Sequence, residues 1–576
     1  MIKFRQYGRL AAASFIALAI VACSKTDKTD KAADILQFVP ADTPYVFAAL
    51  EPTPQDLYDK LEPVFNQMMD TYGQVIETAI AAEMGKLPED SEKRAEVEKT
   101  SAVVDELMSM MSLEGLRGAG IDRESLFVMY GNGLLPVVRI RLTDPELFDS
   151  AIERVEEKAE QGMSTAEIDG QPYRFVDLDE LKIVLGTFGD YAVVTLMPSS
   201  FDDKQLRQML GLEKPAESIA SSGRISAVAE EFGFTKHMVA IIDSNRLASI
   251  FLDEPTGLNA DLLAIADYDA GALGDVCREE IRSLVGIAPR VVMGYTRIDD
   301  EQLDSTMVIE LRDDIATGLA TLPANVPGLG EDQGGLLSFG MGFNLQAVRS
   351  FYEARLDALE ADPYECEQFA DMQNGVAKGR EILNQPVPPI VYDIRGFMAV
   401  VDELDGLDFA SKRPPENVEA SVVLAVDNAS ALVQLGAMFS PEIAALNLQP
   451  DGKAVQFSPR QLGGQVDDAY LALGENALAI SVGASAESKV SKLLDAGSAT
   501  PPPFMSMTMD AARYYTLIGD AMMTESDNNE GELPLQTREA LRDMMVNIGS
   551  IYERIVFDVR FTARGVEVDT VLTLGD

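Results

Sequence analysis

The sequence predicts an α+β protein: a tandem duplication of β-α-α-β-β type units, whose antiparallel sheets carry helices packed on one face. Two observations support this prediction. Four short apolar segments each run into a residue that can cap a helix, and a pair of strand-like segments closes the sequence after each of them. Because this order of signals recurs four times along the chain, internal repetition governs the interpretation.

The opening strand of each unit is followed by Thr, Asp or Asn, whose side chains accept hydrogen bonds from the free amides of a helix's first turn. The four predicted pairs of strand and cap are Tyr45 to Leu50 with Thr53, Met238 to Ile242 with Asp243, Leu336 to Phe343 with Asn344, and Phe504 to Met509 with Asp510. A helical region follows each cap. The longest is predicted over Gln55 to Met111, where apolar residues recur three and four positions apart.

Two further strands close each unit. In the last pair, Ile555, Phe557 and Val559 alternate with polar residues, which is typical of a half-buried antiparallel hairpin. The four predicted pairs are Leu126 to Tyr130 with Pro136 to Leu142, Arg290 to Ile298 with Asp304 to Leu311, Val391 to Val401 with Val418 to Val426, and Glu553 to Phe561 with Gly565 to Leu574.

A longer period groups the units in twos. The segment from Asp169 to Val194 is echoed by the segment from Asp451 to Ser481, and each follows an odd-numbered unit. We therefore predict two homologous halves, residues 35–325 and 326–576, each with two units and together related by a pseudo-twofold. The Gly/Pro-rich stretch from Pro323 to Gly335 is the expected joint.

The N-terminus carries a basic leader and an apolar run, Leu10 to Val21, that is too short to span a bilayer. The run closes with Ile20-Val21-Ala22-Cys23, and the whole leader resembles a bacterial lipoprotein signal. This resemblance implies removal of residues 1–22, acyl chains on Cys23 and stable attachment to the lipid bilayer. It also implies an outer-membrane location facing the periplasm, because residue 24 is Ser. Residues 23–34 are expected to form a flexible tether. A cleaved secretory peptide and an uncleaved anchor helix are the alternatives.

A second resemblance concerns the start of the first half. The segment Val39-Pro40-Ala41-Asp42-Thr43-Pro44-Tyr45-Val46 resembles the LPADTP-type opening of uncharacterised exported bacterial proteins, in which Leu is more common than Val39. The stretches from Val137 to Pro145 and from Ile168 to Phe175 are similar to the same family. The family is of unknown function, so the resemblance implies no catalytic residues.

Composition and motifs exclude several classes of function. A formal net charge of −47 repels nucleic acid, which we do not expect as a partner. His237 is the only histidine, so the HExxH zinc motif is excluded, and we interpret His237 as a strand-edge side chain. The sequence contains neither a GxSxG nucleophile elbow nor a phosphate-binding loop. We therefore predict no catalytic, metal or cofactor site, although a carboxylate-dependent hydrolase stays open because its acids have no local spacing signature.

Methionine is the unusual apolar choice, with 25 residues against no tryptophan. Pairs such as Met68-Met69 and Met544-Met545 fall mainly in predicted helices, where they either fill a core or form an adaptable apolar surface. We expect a non-enzymatic binding or scaffold protein of the cell envelope. The alternative is a carrier of a lipid or another apolar ligand, so the expected partners are the bilayer together with an envelope protein or such a ligand.

Cys277 and Cys366 are the two thiols left once Cys23 is acylated. The periplasm is oxidising, so we predict a disulfide between them that links the two halves near their joint. The competing interpretation is two separately buried free cysteines, which behave as small apolar residues.

Overall fold

A computed structural model describes residues 28–85, 88, 91–159, 162–407, 415, 417–458, 469–523 and 535–575. The leader, residues 1–22, and Cys23 lie outside these residues. Antiparallel strands and nineteen helices make up the described chain, which confirms the α+β class. None of the described helices is both long enough and apolar enough to cross a membrane.

The strands are short at the start of each predicted unit and longer in the closing pairs. They are β1 (Tyr45–Ala49), β2 (Phe127–Asn132), β3 (Leu135–Arg141), β4 (Ser164–Ile168), β5 (Gln171–Leu178), β6 (Leu181–Phe188), β7 (Tyr191–Pro198), β8 (Val239–Asp243), β9 (Arg290–Ile298), β10 (Gln302–Glu310), β11 (Leu337–Gly342), β12 (Ile394–Asp405), β13 (Asn417–Val426), β14 (Val455–Phe457), β15 (Ala469–Leu473), β16 (Ala477–Val482), β17 (Met505–Asp510), β18 (Tyr552–Thr562) and β19 (Gly565–Leu574).

The helices follow the strands in the predicted order. They are α1 (Lys28–Leu36), α2 (Gln55–Met84), α3 (Glu92–Met111), α4 (Leu113–Gly118), α5 (Pro145–Ala159), α6 (Asp203–Leu210), α7 (Ile219–Ser222), α8 (Arg224–Phe232), α9 (Ser244–Leu252), α10 (Gly257–Ile265), α11 (Asp275–Val285), α12 (Asp313–Leu319), α13 (Leu345–Ala361), α14 (Ala370–Leu383), α15 (Ala429–Phe439), α16 (Pro441–Ala445), α17 (Ala486–Leu494), α18 (Ala511–Met523) and α19 (Leu535–Ile551). Predicted caps are present: Asp243 accepts from the amide of Arg246, and Asn344 accepts from that of Ala347.

The chain divides into two compact units. Unit 1 comprises residues 1–272, 290–305 and 533–551, and unit 2 comprises residues 273–289, 306–532 and 552–576. The division differs from the predicted boundary at residue 325. Helix α19 packs along α2 and so belongs to unit 1, whereas α11 and α12 belong to unit 2. The second half of the sequence thus contributes one helix to unit 1, and the first half contributes two helices to unit 2. Propensity cannot reveal such an exchange, because these helices have ordinary helical sequences.

The strands of the two units follow the same order, except that β4 at the outer end of unit 1 has no counterpart in unit 2. In unit 1 the neighbours run β4-β5-β6-β7-β3-β2-β1-β8-β9, and in unit 2 they run β14-β15-β16-β13-β12-β11-β17-β18-β19. Every strand of unit 2 except β19 therefore has a counterpart at the same place in unit 1: β1 corresponds to β11, β3 to β13, and β8 to β17. Strand β10, the sequence counterpart of β19, is divided between the units at Ser305. The matching order supports the tandem duplication, which stays a prediction.

Helices pack on both faces of the unit 2 sheet, whereas the sequence predicted one covered face. Helix α17 packs in a core cluster with Val423 and Ala479, and α15 packs in another with Leu424 and Leu478. Val423 and Leu424 are adjacent residues of one strand, so their side chains point to opposite faces. The long runs of apolar residues in β12 and β13 are explained by this double coverage.

The N-terminal segment is more ordered than a flexible tether. Residues 28–36 form α1, and Ile35 and Leu36 are buried in unit 1. Phe38 then lies over the guanidinium of the buried Arg139, with 4.0 Å from Cζ to the ring centroid. Buried Ile35 and Leu36 and half-buried Phe38 fix the chain just after the predicted tether, and residues 28–34 of that tether are helical.

Candidate functional site

The two faces of the unit 2 sheet differ in chemistry. On one face, small polar side chains lie near the centre of the sheet and are almost fully buried: Ser338, Ser421, Ser481, Ser506 and Thr508. Ser481 Oγ donates a hydrogen bond to Ser421 Oγ at 2.6 Å. Helix α17 and the chain before β11 cover this face so closely that a Cβ on Gly342 would lie 2.1 Å from the carbonyl oxygen of Ala324. The face is closed.

The other face carries only apolar side chains over its central strands, from β16 to β18. Directly opposed residues of antiparallel strands share a face, so the register defines the set, which we name the methionine face. Its members are Leu337, Phe339, Met341, Phe397, Ala399, Val401, Val422, Leu424, Leu478, Ile480, Met505, Met507, Met509, Ile555, Phe557 and Val559.

Exposure distinguishes the methionine face from the closed face. Fifteen of its sixteen members are half-buried, and Val422 is 39% exposed. Central strands of a sheet normally bury such residues, and each large apolar side chain left open forgoes about 1 kcal/mol of transfer free energy. Helices α11 and α13 of the same unit, described throughout, contain no fully buried side chain. The fold therefore leaves a wide apolar surface partly open.

The composition of the methionine face suits an adaptable contact. Met505, Met507 and Met509 alternate along β17, and their thioether side chains are flexible and polarizable. Phe339 and Phe397 lie beside them, with ring centroids 5.8 Å apart. The sixteen members include no charged or hydrogen-bonding side chain, so the face offers only dispersion and hydrophobic contacts.

The equivalent surface in unit 1 is more buried where helix α5 packs on it, although Phe47, Met129 and Met293 at its centre are half-buried. Val138 of β3 occupies the position of Val422 in β13, and it is 7% exposed against 39% for Val422. Helix α5 explains the difference, because its Phe148 and Ile152 are buried in a cluster with Ala192 of β7. Ala240, which corresponds to Met507, is also buried.

Unit 2 also has a polar cavity, separate from the methionine face. It is a broad cleft of about 840 Å³ with four carboxylates on its lining, among them Asp427 and Asp451. Its one arginine, Arg395, is bonded to Asp427. Among the described residues, no group of three His, Cys, Asp or Glu side chains could hold a metal ion. We assign no ligand to this cleft.

The structure places His237 in the turn before β8, rather than inside the strand. Its Nδ1 atom lies 3.9 Å from Glu51 Oε2. Asp558 and Asp569 are opposed carboxylates on β18 and β19, and both pair with Arg560, whose nitrogens lie 2.5 Å and 3.2 Å from them. An ion pair of this kind stabilises strand pairing.

Cys277 and Cys366 form a disulfide, with 4.8 Å between their Cα atoms. The predicted bridge between residues of the two sequence halves is therefore present, and both cysteines lie in the same compact unit, unit 2. The reason is the placement of α11: the carboxylate of Glu280 on this helix accepts hydrogen bonds from the backbone amides of Glu365 at 2.6 Å and Cys366 at 3.1 Å. The bridge fixes α11 inside unit 2.

Pairs of methionines in the sequence fall mainly in helices, whereas the open surface is formed by the methionines of strand β17. The signal that could have found them is the alternation Met505-Ser506-Met507-Thr508-Met509, which places every methionine on one face. Cys23 lies outside the described residues, so its role stays a prediction. Searches for a matching protein family, curated protein or solved structure found none.

Proposed function

We propose that this chain is a lipid-anchored envelope protein that binds a fatty acyl chain, or a ligand of the same chemistry, on the methionine face of unit 2. The observation that carries this proposal is the contrast between the two faces of one sheet. Small polar residues are sealed in the closed face, while sixteen apolar residues stay partly open. The alternative of an apolar-ligand carrier therefore takes precedence over a scaffold.

The dimensions of the methionine face support an extended apolar ligand. The face crosses six neighbouring strands from β16 to β18, and strands lie about 4.8 Å apart, so it is about 24 Å wide. A long acyl chain lying on it would bury apolar surface on both partners, and methionine side chains can adjust to chains of different length. No side chain of the face could activate water, so the proposed activity is binding without chemistry.

Acyl chains on Cys23 are the proposed anchor, in the outer membrane and facing the periplasm. Cys23→Ser removes the thiol that carries the acyl group, and we expect this variant to leave the membrane fraction. Fractionation at high salt measures this. Unchanged membrane association of the variant would contradict the anchor. It would not bear on ligand binding by the methionine face.

The ligand proposal is tested by mass spectrometry of lipids extracted from the purified mature protein. We expect acyl lipids in stoichiometric amount with the wild type and their loss with Met507→Asp, because a carboxylate on the face would have to be desolvated against an apolar chain. Met293→Asp is the matched control, since Met293 is a half-buried methionine on the equivalent face of unit 1. Recovery of a protein partner without lipid would favour a scaffold instead.

A further inference from the structure

Helix α15 ends in a protruding apolar corner. Met438 and Phe439 are 79% and 81% exposed, the highest values for large apolar side chains among the residues with described side chains, and Leu435 is 38% exposed. Ser440 then caps α16, since its Oγ accepts from the amide of Ile443, and the chain turns at this point. We name Leu435, Met438 and Phe439 the α15 tip. Its side chains project outward and do not line a groove.

The corresponding helix in unit 1 does not share this chemistry. Helices α5 and α15 both follow the third strand of their sheet, β3 and β13. Helix α5 carries seven charged residues and buries Phe148, Ala151 and Ile152, whereas α15 carries no charge and buries only Ala429 fully. A helix at this place in the fold can therefore pack on the sheet and still carry charged residues, as α5 does.

The α15 tip is continuous with the methionine face. Leu432 and Val433 of the same helix pack in one cluster with Leu424 and Leu478, which are members of that face. Phe439 lies seven residues beyond Leu432, or about 10 Å along the helix axis. An apolar strip thus leads from the outermost side chain to the edge of the face.

We propose that the α15 tip inserts into the interfacial region of a lipid bilayer and is the route by which an acyl chain passes between the membrane and the methionine face. This inference rests on the proposed function. Three exposed apolar side chains at one helix end are the kind of surface that interfacial helices bury at the boundary of headgroups and acyl chains. Highly exposed convex residues fit a fluid lipid phase better than the packed pockets in which protein interfaces place their central residues.

Charge defines the kind of membrane. Glu442 follows the tip, with its carboxylate 2.8 Å from Ser440 Oγ, and the whole chain has a net charge of −47. Anionic headgroups would repel this surface, and salt would relieve the repulsion. The tip therefore inserts best between zwitterionic lipids such as phosphatidylcholine.

The absence of tryptophan from the chain allows a direct test of insertion. The acylated protein carrying Phe439→Trp is placed on phosphatidylcholine vesicles whose acyl chains are brominated, and its fluorescence is compared with that on unbrominated vesicles. We expect a blue shift and quenching by bromine. Ile382→Trp is the matched control, since Ile382 is an apolar residue of α14 that is 57% exposed, and it should stay unquenched. Equal quenching of both reporters, or quenching of neither, overturns the inference.

Transfer of ligand separates this inference from the proposed function. With Met438→Ser/Phe439→Ser, we expect the rate of fatty-acid transfer from donor vesicles to fall at least about tenfold, because two large apolar side chains no longer enter the bilayer. Affinity for dissolved fatty acid should be unchanged. Unchanged transfer would contradict the role of the α15 tip but not the proposed function. Absence of fatty-acid binding by the wild type would contradict the proposed function. A wild-type dimer that this variant converts to monomer would show that a second copy covers the tip, which also overturns the inference.

Discussion

Val138 and Val422 are the same residue type at the same place in the shared strand order of the two units, yet one is 7% and the other 39% exposed. In unit 1, the charged amphipathic helix α5 packs over the equivalent strands through Phe148 and Ile152. In unit 2, the shorter and uncharged α15 contacts only one end of the methionine face. The two faces therefore differ in exposure where α5 and α15 pack, while Phe47, Met129 and Met293 of unit 1 are half-buried like most members of the methionine face.

This difference in exposure between the units indicates where an apolar ligand would bind. Both units share the same framework of antiparallel strands, so the framework alone does not require an open apolar face. Leaving several large apolar side chains half-buried lowers the stability of unit 2, by about 1 kcal/mol for each. A ligand that covers the methionine face would recover this free energy on binding.

Loss of the disulfide is the largest expected effect on unit 2. Replacing Cys277 and Cys366 together by Ser opens a loop closed over a separation of 89 residues, which chain-entropy estimates value at about 4 kcal/mol. Hydrogen exchange followed by mass spectrometry should show faster exchange in peptides of unit 2. Peptides from β1 and β8 of unit 1 provide the control. Equal loss of protection in both units would contradict the division of the chain described here.

Charge on the methionine face has the next largest expected effect. Met507→Asp should weaken binding of a long-chain fatty acid about 100-fold, because the carboxylate must lose water when the chain covers it. The melting temperature should change little, since Met507 is only half-buried. Met293→Asp on unit 1 should leave the affinity unchanged. A similar loss of affinity with both variants would remove the distinction between the units.

The valine pair gives a direct comparison of stability. Val138→Ala should lower the free energy of unfolding by about 2 kcal/mol, because it opens a cavity in a closed core. Val422→Ala should lower it by less than about 0.5 kcal/mol, because its side chain is already exposed to solvent. Denaturant titration measures both. Equal losses would indicate that the methionine face is as tightly packed as the surface beneath α5.

The smallest expected effect is a pH dependence of stability that arises from Tyr45 of unit 1. Burial raises the pKa of Tyr45 to about 12, while its ordinary value is 10.0. The folded protein therefore keeps a proton that the unfolded chain loses, so this stability is present below pH 10 and is lost as the pH rises toward 12. Tyr45→Phe should reduce the alkaline loss by about 1 kcal/mol. The corresponding residue in unit 2 is Leu337, which does not titrate. If Tyr45→Phe lost stability at alkaline pH as the wild type does, Tyr45 would not be the source of that loss.

Local sequence signals were sufficient for most of the secondary structure. The caps Asp243 and Asn344 and the alternation around Phe557 depend on neighbouring residues only, and each lies in the element that it predicted. The exchange of α11 and α19 between units could not be predicted in this way. Which helix packs on which sheet depends on contacts between residues far apart in sequence, and both helices have ordinary propensities.

The open surface was also beyond the sequence analysis. Met507 and its buried counterpart Ala240 both lie in short apolar strands, and the exposure of each depends on the helix above the sheet. The pairing of Cys277 with Cys366 followed from counting thiols, but the assignment of both to unit 2 required the position of α11. Phe439 lies in a helix without charged residues, and an apolar sequence of this kind does not by itself distinguish a buried helix from an exposed one.

Methyl NMR spectroscopy of protein labelled with carbon-13 at its methionines tests directly whether an apolar ligand binds on the methionine face. A spin-labelled stearic acid bound on the methionine face would lie within contact of Met505, Met507 and Met509, and it would broaden their methyl signals. We expect these three signals, assigned by Met→Leu variants, to broaden, while the signals of Met129 and Met293 in unit 1 stay sharp. Equal broadening in both units, or sharp signals throughout at saturating ligand, would contradict it.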